Sequence, residues 1–193
     1  VTLAMMNIGR GFARIYTKAT TILVDDPLFT FIGSGKILGG VPIQFVYMLV
    51  VIVISGLILN RTKFGRNIYA VGDNKQDASY SGINSRRVTM TVFVIMGIFA
   101  SCAGILSSAR TFSAQFNVGE GSEMDAISAV VLGGTSMSGG VGRLSGTIIG
   151  CIVIGVLNNG MNILGIDSSW QYVVKGVVVL IAVFIDYIKK MKD

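Results

Sequence analysis

VPIQFVYMLVVIVISGLIL, residues 41–59, runs for 19 positions without a charge. At 1.5 Å per residue such a helix is about 28 Å long, close to the ~30 Å hydrocarbon layer of a bilayer. The stretch is therefore read as a membrane-crossing helix. Pro42 falls in its first turn, where a missing N–H is tolerated.

The sequence repeats this pattern on both sides. Residues 88–109 and 144–166 are further uncharged runs, of 22 and 23 residues. Residues 170–188 form a last apolar run, interrupted by Lys175 and Asp186. Residues 1–15 carry Arg10 and Arg14 and read as the end of a span whose beginning lies outside the sequence. The chain is 13% charged, about half the ~25% of a soluble domain. Its mean hydropathy of +0.70 agrees. These figures exclude a disordered tail and nearly all water-soluble enzymes of this size. There is no His, so imidazole acid–base chemistry is excluded. Cys102 and Cys151 lie inside apolar runs, where they read as buried thiols and supply no disulfide framework.

Between the runs lie polar connections. Residues 16–40 form a loop with a short interfacial segment at 29–32. Residues 60–87 form the most polar stretch, with Arg61, Lys63, Arg66, Lys75, Arg86 and Arg87 against Asp73 and Asp77. Lys and Arg are retained on the cytoplasmic side. Placing this stretch and the tail inside gives ten basic residues there, counting Arg143, Lys189, Lys190 and Lys192. The outside loops keep three, Lys18, Lys36 and Arg110. The balance is the topogenic signal of a membrane protein rather than a nucleic-acid footprint. It requires AISAVVLGGTSMSGGV, residues 126–141, to cross or re-enter. Sixteen residues reach only about 24 Å. The pair Ser122 and Asp125 resembles a helix-capping pair, and the glycines break the helix, which places this segment in the interior of a bundle.

Chemistry-bearing motifs are few. The phosphate-binding G-x-x-x-x-G-K-[ST] is absent, as is the G-x-S-x-G nucleophile turn. In the basic stretch, Asn74 and Asp77 start a helix and Gly82 stops it, leaving about two turns between. This is either a plain connector or a short helix that docks into a groove on a partner. Gly133, Gly134, Gly139 and Gly140 read as packing and turn glycines, and Gly146 and Gly150 as a small-xxx-small contact. Thr135, Ser136 and Ser138 are candidates for lining a pathway. Asn158 and Asn162, four apart, share a helix face, with Asn159 beside them. Hydrogen bonding between helices is the leading reading of these amides, and contact with a polar ligand the other. Lys175 reads as snorkelling outward or serving a water path. Asp186 reads as interfacial.

FGRNIYAVGDNKQDASYSGIN, residues 64–84, resembles the signature of the permease subunits of ribose-type sugar ABC importers. Two more stretches of that family are matched, EMDAISAVVLGGTSMSGGVGRLSGTIIG at 123–150 and VLNNGMNILGI at 156–166. The resemblance implies an all-α, polytopic transmembrane helix bundle. About five to six spans of a roughly ten-span permease fall in this sequence, with a short or re-entrant helix near 123–140. Residues 1–193 are then one transmembrane permease domain, the C-terminal part, with the N-terminal spans absent.

The resemblance also implies a bilayer setting, a second permease copy, an ABC ATPase subunit and an extracytoplasmic sugar-binding protein, with no nucleic acid. ATP and Mg²⁺ belong to the ATPase, and no cofactor to this chain. Coupling to the ATPase falls on Gly65, Arg66, Ala70, Gly72, Asn74, Ala78, Gly82 and Ile83, which stand at matching positions. On this reading Ala78→Trp leaves the protein folded and disrupts ATPase docking. Competing readings are a branched-chain amino acid permease, a membrane docking protein and an intramembrane enzyme. The last needs converging charges at depth, and the sequence shows Lys175 without an evident partner.

Overall fold

The computed structural model describes residues 2–37 and 40–192; the side chains of Ser168 and of residues 185–192 fall outside the description. The expectations for Asp186 and for the tail lysines thus lie outside the described residues. Helices dominate: α1 Thr2–Tyr16, α2 Pro27–Ser34, α3 Ile43–Arg61, α4 Lys63–Asp73, α5 Lys75–Tyr80, α6 Ser85–Arg110, α7 Ser122–Leu132, α8 Leu144–Ile163 and α9 Ser168–Lys192. Among the described residues two-residue strands staple the loops: β1 Ile22–Leu23, β2 Lys36–Ile37, β3 Val41–Pro42 and β4 Ser113–Ala114. The helical membrane architecture read from the sequence is present. Among the described residues α3, α6 and α8 are long and apolar enough to cross a bilayer, and α9 carries a shorter apolar stretch, Ser169–Phe184. The apolar side chains of α3 and α6 lie almost wholly on the surface. Lipid or neighbouring helices accept such a surface, and water does not.

The chain divides into two compact units, whose boundaries fall within α3, within α6 and just before α7. The first holds the chain up to Val53 and Thr91–Glu120. Its α2 is started by Asp26, whose Oδ1 accepts from the Leu28 and Phe29 N–H groups at 2.8 and 3.4 Å. Pro27 follows at the first helical position, where its lost donor costs nothing. This helix sits where the interfacial segment was expected. Gly33 lies on the main chain of Ala109, which is fully buried, and a Cβ there would strike the Ala109 carbonyl. β1 pairs with β4 and β2 with β3, both antiparallel. Pro42 therefore sits in β3, opposite Lys36, and not in the first turn of α3. The hydrogen bond from the Ile43 N–H to the Gly35 carbonyl (2.9 Å) carries this turn into the helix.

The second unit holds Ile54–Met90 and the chain from Gly121 onward. Here the polar 60–87 stretch is mostly helical, as α4 and α5. Further along, α7 runs antiparallel to α8: Gly133, just past the end of α7, meets Gly146 near the start of α8. At the other end Asp125 of α7 meets Asn158 of α8. Gly150 is buried against the Ala129 carbonyl. A small-xxx-small pair thus lets two backbones touch.

Two further expectations are corrected. Ser122 is the first helical residue of α7 and makes no cap; the capping position is Gly121, at φ +83. Asp125 is instead drawn to a cation on α9. Cys102 and Cys151 are exposed, not buried, because in this fold the apolar faces of α6 and α8 that carry them point outward.

Candidate functional site: a basic elbow and a polar ladder

The elbow begins at a tight corner between α3 and α4. The Thr62 hydroxyl donates to the Ile58 carbonyl at 2.6 Å and accepts from the Gly65 N–H at 3.1 Å. Gly65 is buried, and a Cβ there would collide with the carbonyls of Ile58 and Leu59. Phe64, Ile68 and Val71, at i, i+4 and i+7, then form one apolar face of α4. They close over Ala78 and Val88, with Ala70 and Ile83 at the margin.

Both ends of α5 are finished by its own residues. Asn74 Oδ1 accepts from the Gln76 and Asp77 N–H groups, and its amide donates to Asp77 at 2.8 Å. At the far end the Gly82 N–H reaches the Ser79 carbonyl and the Ile83 N–H the Ala78 carbonyl, at 3.0 and 2.9 Å. That is a Schellman stop, with Gly82 at φ +78. Asn74→Ala is expected to cost about 1 kcal/mol. Amide exchange over α5 should rise roughly fivefold, with little change in α8.

The eight positions to which the resemblance assigns coupling therefore divide. Arg66, Gly72, Asn74 and Gly82 are exposed, whereas Gly65 and Ala78 are buried and Ala70 and Ile83 pack on the elbow's core. Ala78 is 4% exposed, so it has no surface to offer a partner. Ala78→Trp is an assault on the elbow's core and not on docking alone, contrary to the expectation above. The exposed face carries a residue that sequence reasoning missed: Tyr80, a large aromatic 88% exposed at the end of α5. An aromatic on a capped helix that has nothing to pack against was the available signal.

Gly72 has a second neighbour. A Cβ on it would lie 2.9 Å from the Gly140 nitrogen, and one on Gly139 would meet the Gly72 carbonyl. Gly139 and Gly140 have φ of +97 and +75, open to glycine alone without strain. The 133–143 loop is thereby laid against the end of α4, and the Tyr69 hydroxyl donates to the Gly142 carbonyl at 3.2 Å. Beside this joint is a cavity of about 340 Å³ whose lining includes Ile68, Tyr69, Thr135, Ser136 and Thr147. Thr135 and Ser136 thus stand next to the elbow, and Ser138 lies in the same loop, its N–H donating to the Ser136 hydroxyl oxygen.

The asparagines lie elsewhere in this unit. Asn158 donates to Asp125 Oδ2 at 3.1 Å, and Lys175 approaches Asp125 Oδ1 and Oδ2 at 2.7 and 3.0 Å. Gln171 donates to Asn162 Oδ1 at 2.9 Å. Asn158 and Asn162 are four apart on α8; Gln171 and Lys175 are four apart on α9. The result is a two-rung ladder between the helices, with α7 contributing Asp125. Asn159 is exposed, away from the ladder. Lys175 therefore has the partner that the sequence did not reveal. In the connection below, the Asp167 carboxyl is held under the usual carboxylate range by the Ser169 N–H and hydroxyl. Among the described residues no group of His, Cys, Asp or Glu could hold a metal ion.

The chain is 46% identical to the ribose import permease protein of Bacillus subtilis over 187 residues, 96% of this chain and 58% of that protein. It is 44% identical over 189 residues to the ribose import permease protein of Escherichia coli, covering 96% and 59%. To the L-arabinose transport system permease protein of Escherichia coli it is 37% identical over 189 residues, covering 98% and 57%. The chain thus spans somewhat under three fifths of the length of these relatives, which are transport permeases and not enzymes by name. No solved structure matches it. Residues 1–183 match the family described as branched-chain amino acid transport system / permease component, and with its apolar spanning helices the chain belongs to that family of multi-pass inner-membrane permeases.

Proposed function

We propose that this chain is part of the permease subunit of an ATP-binding-cassette importer that moves a ribose-type monosaccharide across the cytoplasmic membrane. It would act as one membrane domain, paired with a second permease copy. ATP and Mg²⁺ would be handled by a separate ATPase, and an extracytoplasmic binding protein would deliver the sugar. The observation that carries the reading is the capped α5, held rigid on a small apolar core with Tyr80 bare at its end. The sugar class rests on the relatives, which are named for ribose and arabinose.

In this reading the ATPase grips α5 and displaces the elbow. Arg66, Lys75 and Gln76 supply polar contacts at the rim, and Tyr80 fills a pocket on the partner. Aromatic anchors dominate such interfaces, and burying one is worth about 1.5–3 kcal/mol. Tyr80→Ala in the complete permease is expected to weaken retention of the ATPase by about tenfold or more. Amide exchange within α4 and α5 should not change. Full retention of the ATPase would remove Tyr80, and the α5 docking face with it, from the reading.

The family description favours a second reading, transport of a branched-chain amino acid. Competition of pentoses and leucine for uptake by reconstituted vesicles separates the two.

A further inference from the structure

Five polar side chains of α7, α8 and α9 are joined by hydrogen bonds and an ion pair in this unit. The ladder of Asp125, Asn158, Asn162, Gln171 and Lys175 is not a closed structural knot. Asn158 Oδ1 is buried and has no hydrogen-bond partner among the described residues. A buried amide oxygen without a partner costs about 1–3 kcal/mol, so the site is built with a spare acceptor.

The Asp125 side chain is 28% exposed and that of Lys175 14%. Acyl chains do not tolerate a partly exposed ion pair beside a spanning helix. This face therefore meets water or protein instead of lipid. Its chemistry is also particular: donors from Lys175 and the amides, acceptors from Asp125 and Asn158, and no net charge across the ion pair. A neutral ligand whose every hydroxyl both gives and accepts fits that set. A ligand of net charge would find no unbalanced counter-charge.

We propose that the Asp125–Asn158–Lys175 end of the ladder is a binding step for a neutral polyol on its route through the membrane. The ligand class rests on the monosaccharide reading above. A hydroxyl takes the free Asn158 oxygen and exchanges with water at the ion pair. The competing role is a packing zipper. Inter-helix hydrogen bonds in membranes average about 0.6 kcal/mol, and an ion pair that only packs is replaceable by apolar residues of similar volume.

The test uses the complete permease with its ATPase and binding protein in proteoliposomes, on a background free of exposed thiols such as Cys102 and Cys151. Asn158→Cys is expected to react with a small charged thiol reagent, and ribose during turnover should slow that reaction by about threefold or more. Uptake of radiolabelled ribose by the Asp125→Leu/Lys175→Met double variant should fall about tenfold or more, with the complex still assembled. An unreactive Asn158→Cys overturns the proposal, as does reaction at a rate ribose does not alter. So does double-variant uptake within about twofold of the parent, the zipper's signature. If the double variant does not assemble, the Asn158→Cys result decides alone. Parent vesicles that import leucine and no pentose overturn the sugar reading and the polyol class together. The preceding results overturn the ladder with the sugar reading intact.

Discussion

Gly150→Leu is expected to separate α7 from α8 and leave the complete permease poorly folded. Gly150 is buried where α8 lies on the Ala129 carbonyl, with the Gly133 nitrogen 3.1 Å from where a Cβ would sit. Main chain cannot swing aside as a flexible side chain does. Overpacking in a tight core costs about 1–3 kcal/mol and more where nothing yields; a whole isobutyl group against backbone belongs at or above the upper end. The apparent melting temperature in detergent should fall by roughly 10 °C, with a matching loss of protein in the membrane. Gly155→Leu is the internal control. It lies on the same helix with nothing within 4 Å of its Cβ position, and should stay within about 0.5 kcal/mol of the parent. Equal losses for the two variants would mean that α8 tolerates no bulk anywhere, and that the Gly150 contact is not special.

Ala78→Trp is expected to open the elbow. Ala78 is 4% exposed and shares a small core with Val71 and Val88. An indole has no space there, and Phe64, Ile68, Ala70 and Ile83, packed around the site, would have to give way to it. The cost is about 3 kcal/mol or more, comparable with what so small a core supplies. Limited proteolysis should cut within residues 62–88 of the variant and spare the parent. The ATPase should be lost as a consequence. Tyr80→Ala gives the contrasting signature: the ATPase is lost and the elbow remains resistant. Were Ala78→Trp protease-resistant yet unable to bind the ATPase, Ala78 would belong to the docking face and the packing assignment would fail.

The contrast between these residues shows what a sequence makes legible. The start and stop of α5 were readable because Asn74, Asp77 and Gly82 act on main chain a few positions away. The spans were readable because charge is expensive in hydrocarbon over any window of about 20 residues. Phe64, Ile68 and Val71 carry a helical period that charged neighbours obscure, so the sequence alone does not reveal α4. Pairings between distant positions had no local signal. Asp125 finds Lys175 fifty positions on, and Gly72 finds Gly139 only once α4 and the 133–143 loop are folded. Ala78 matched a docking motif, but its burial is a property of the assembled elbow. The spacing of Asn158 and Asn162 puts them on one face, but the residues that face them, Gln171 and Lys175, leave no trace in that spacing.

The contact of Gly72 with Gly139 and Gly140 has a mechanical consequence. Side chains that touch transmit a push only after their rotamers have settled, which absorbs part of the stroke. Here peptide group bears on peptide group, with no torsion between them to take up slack. A displacement of α4 would therefore press directly on the main chain of the 133–143 strap, whose two ends run into α7 and α8.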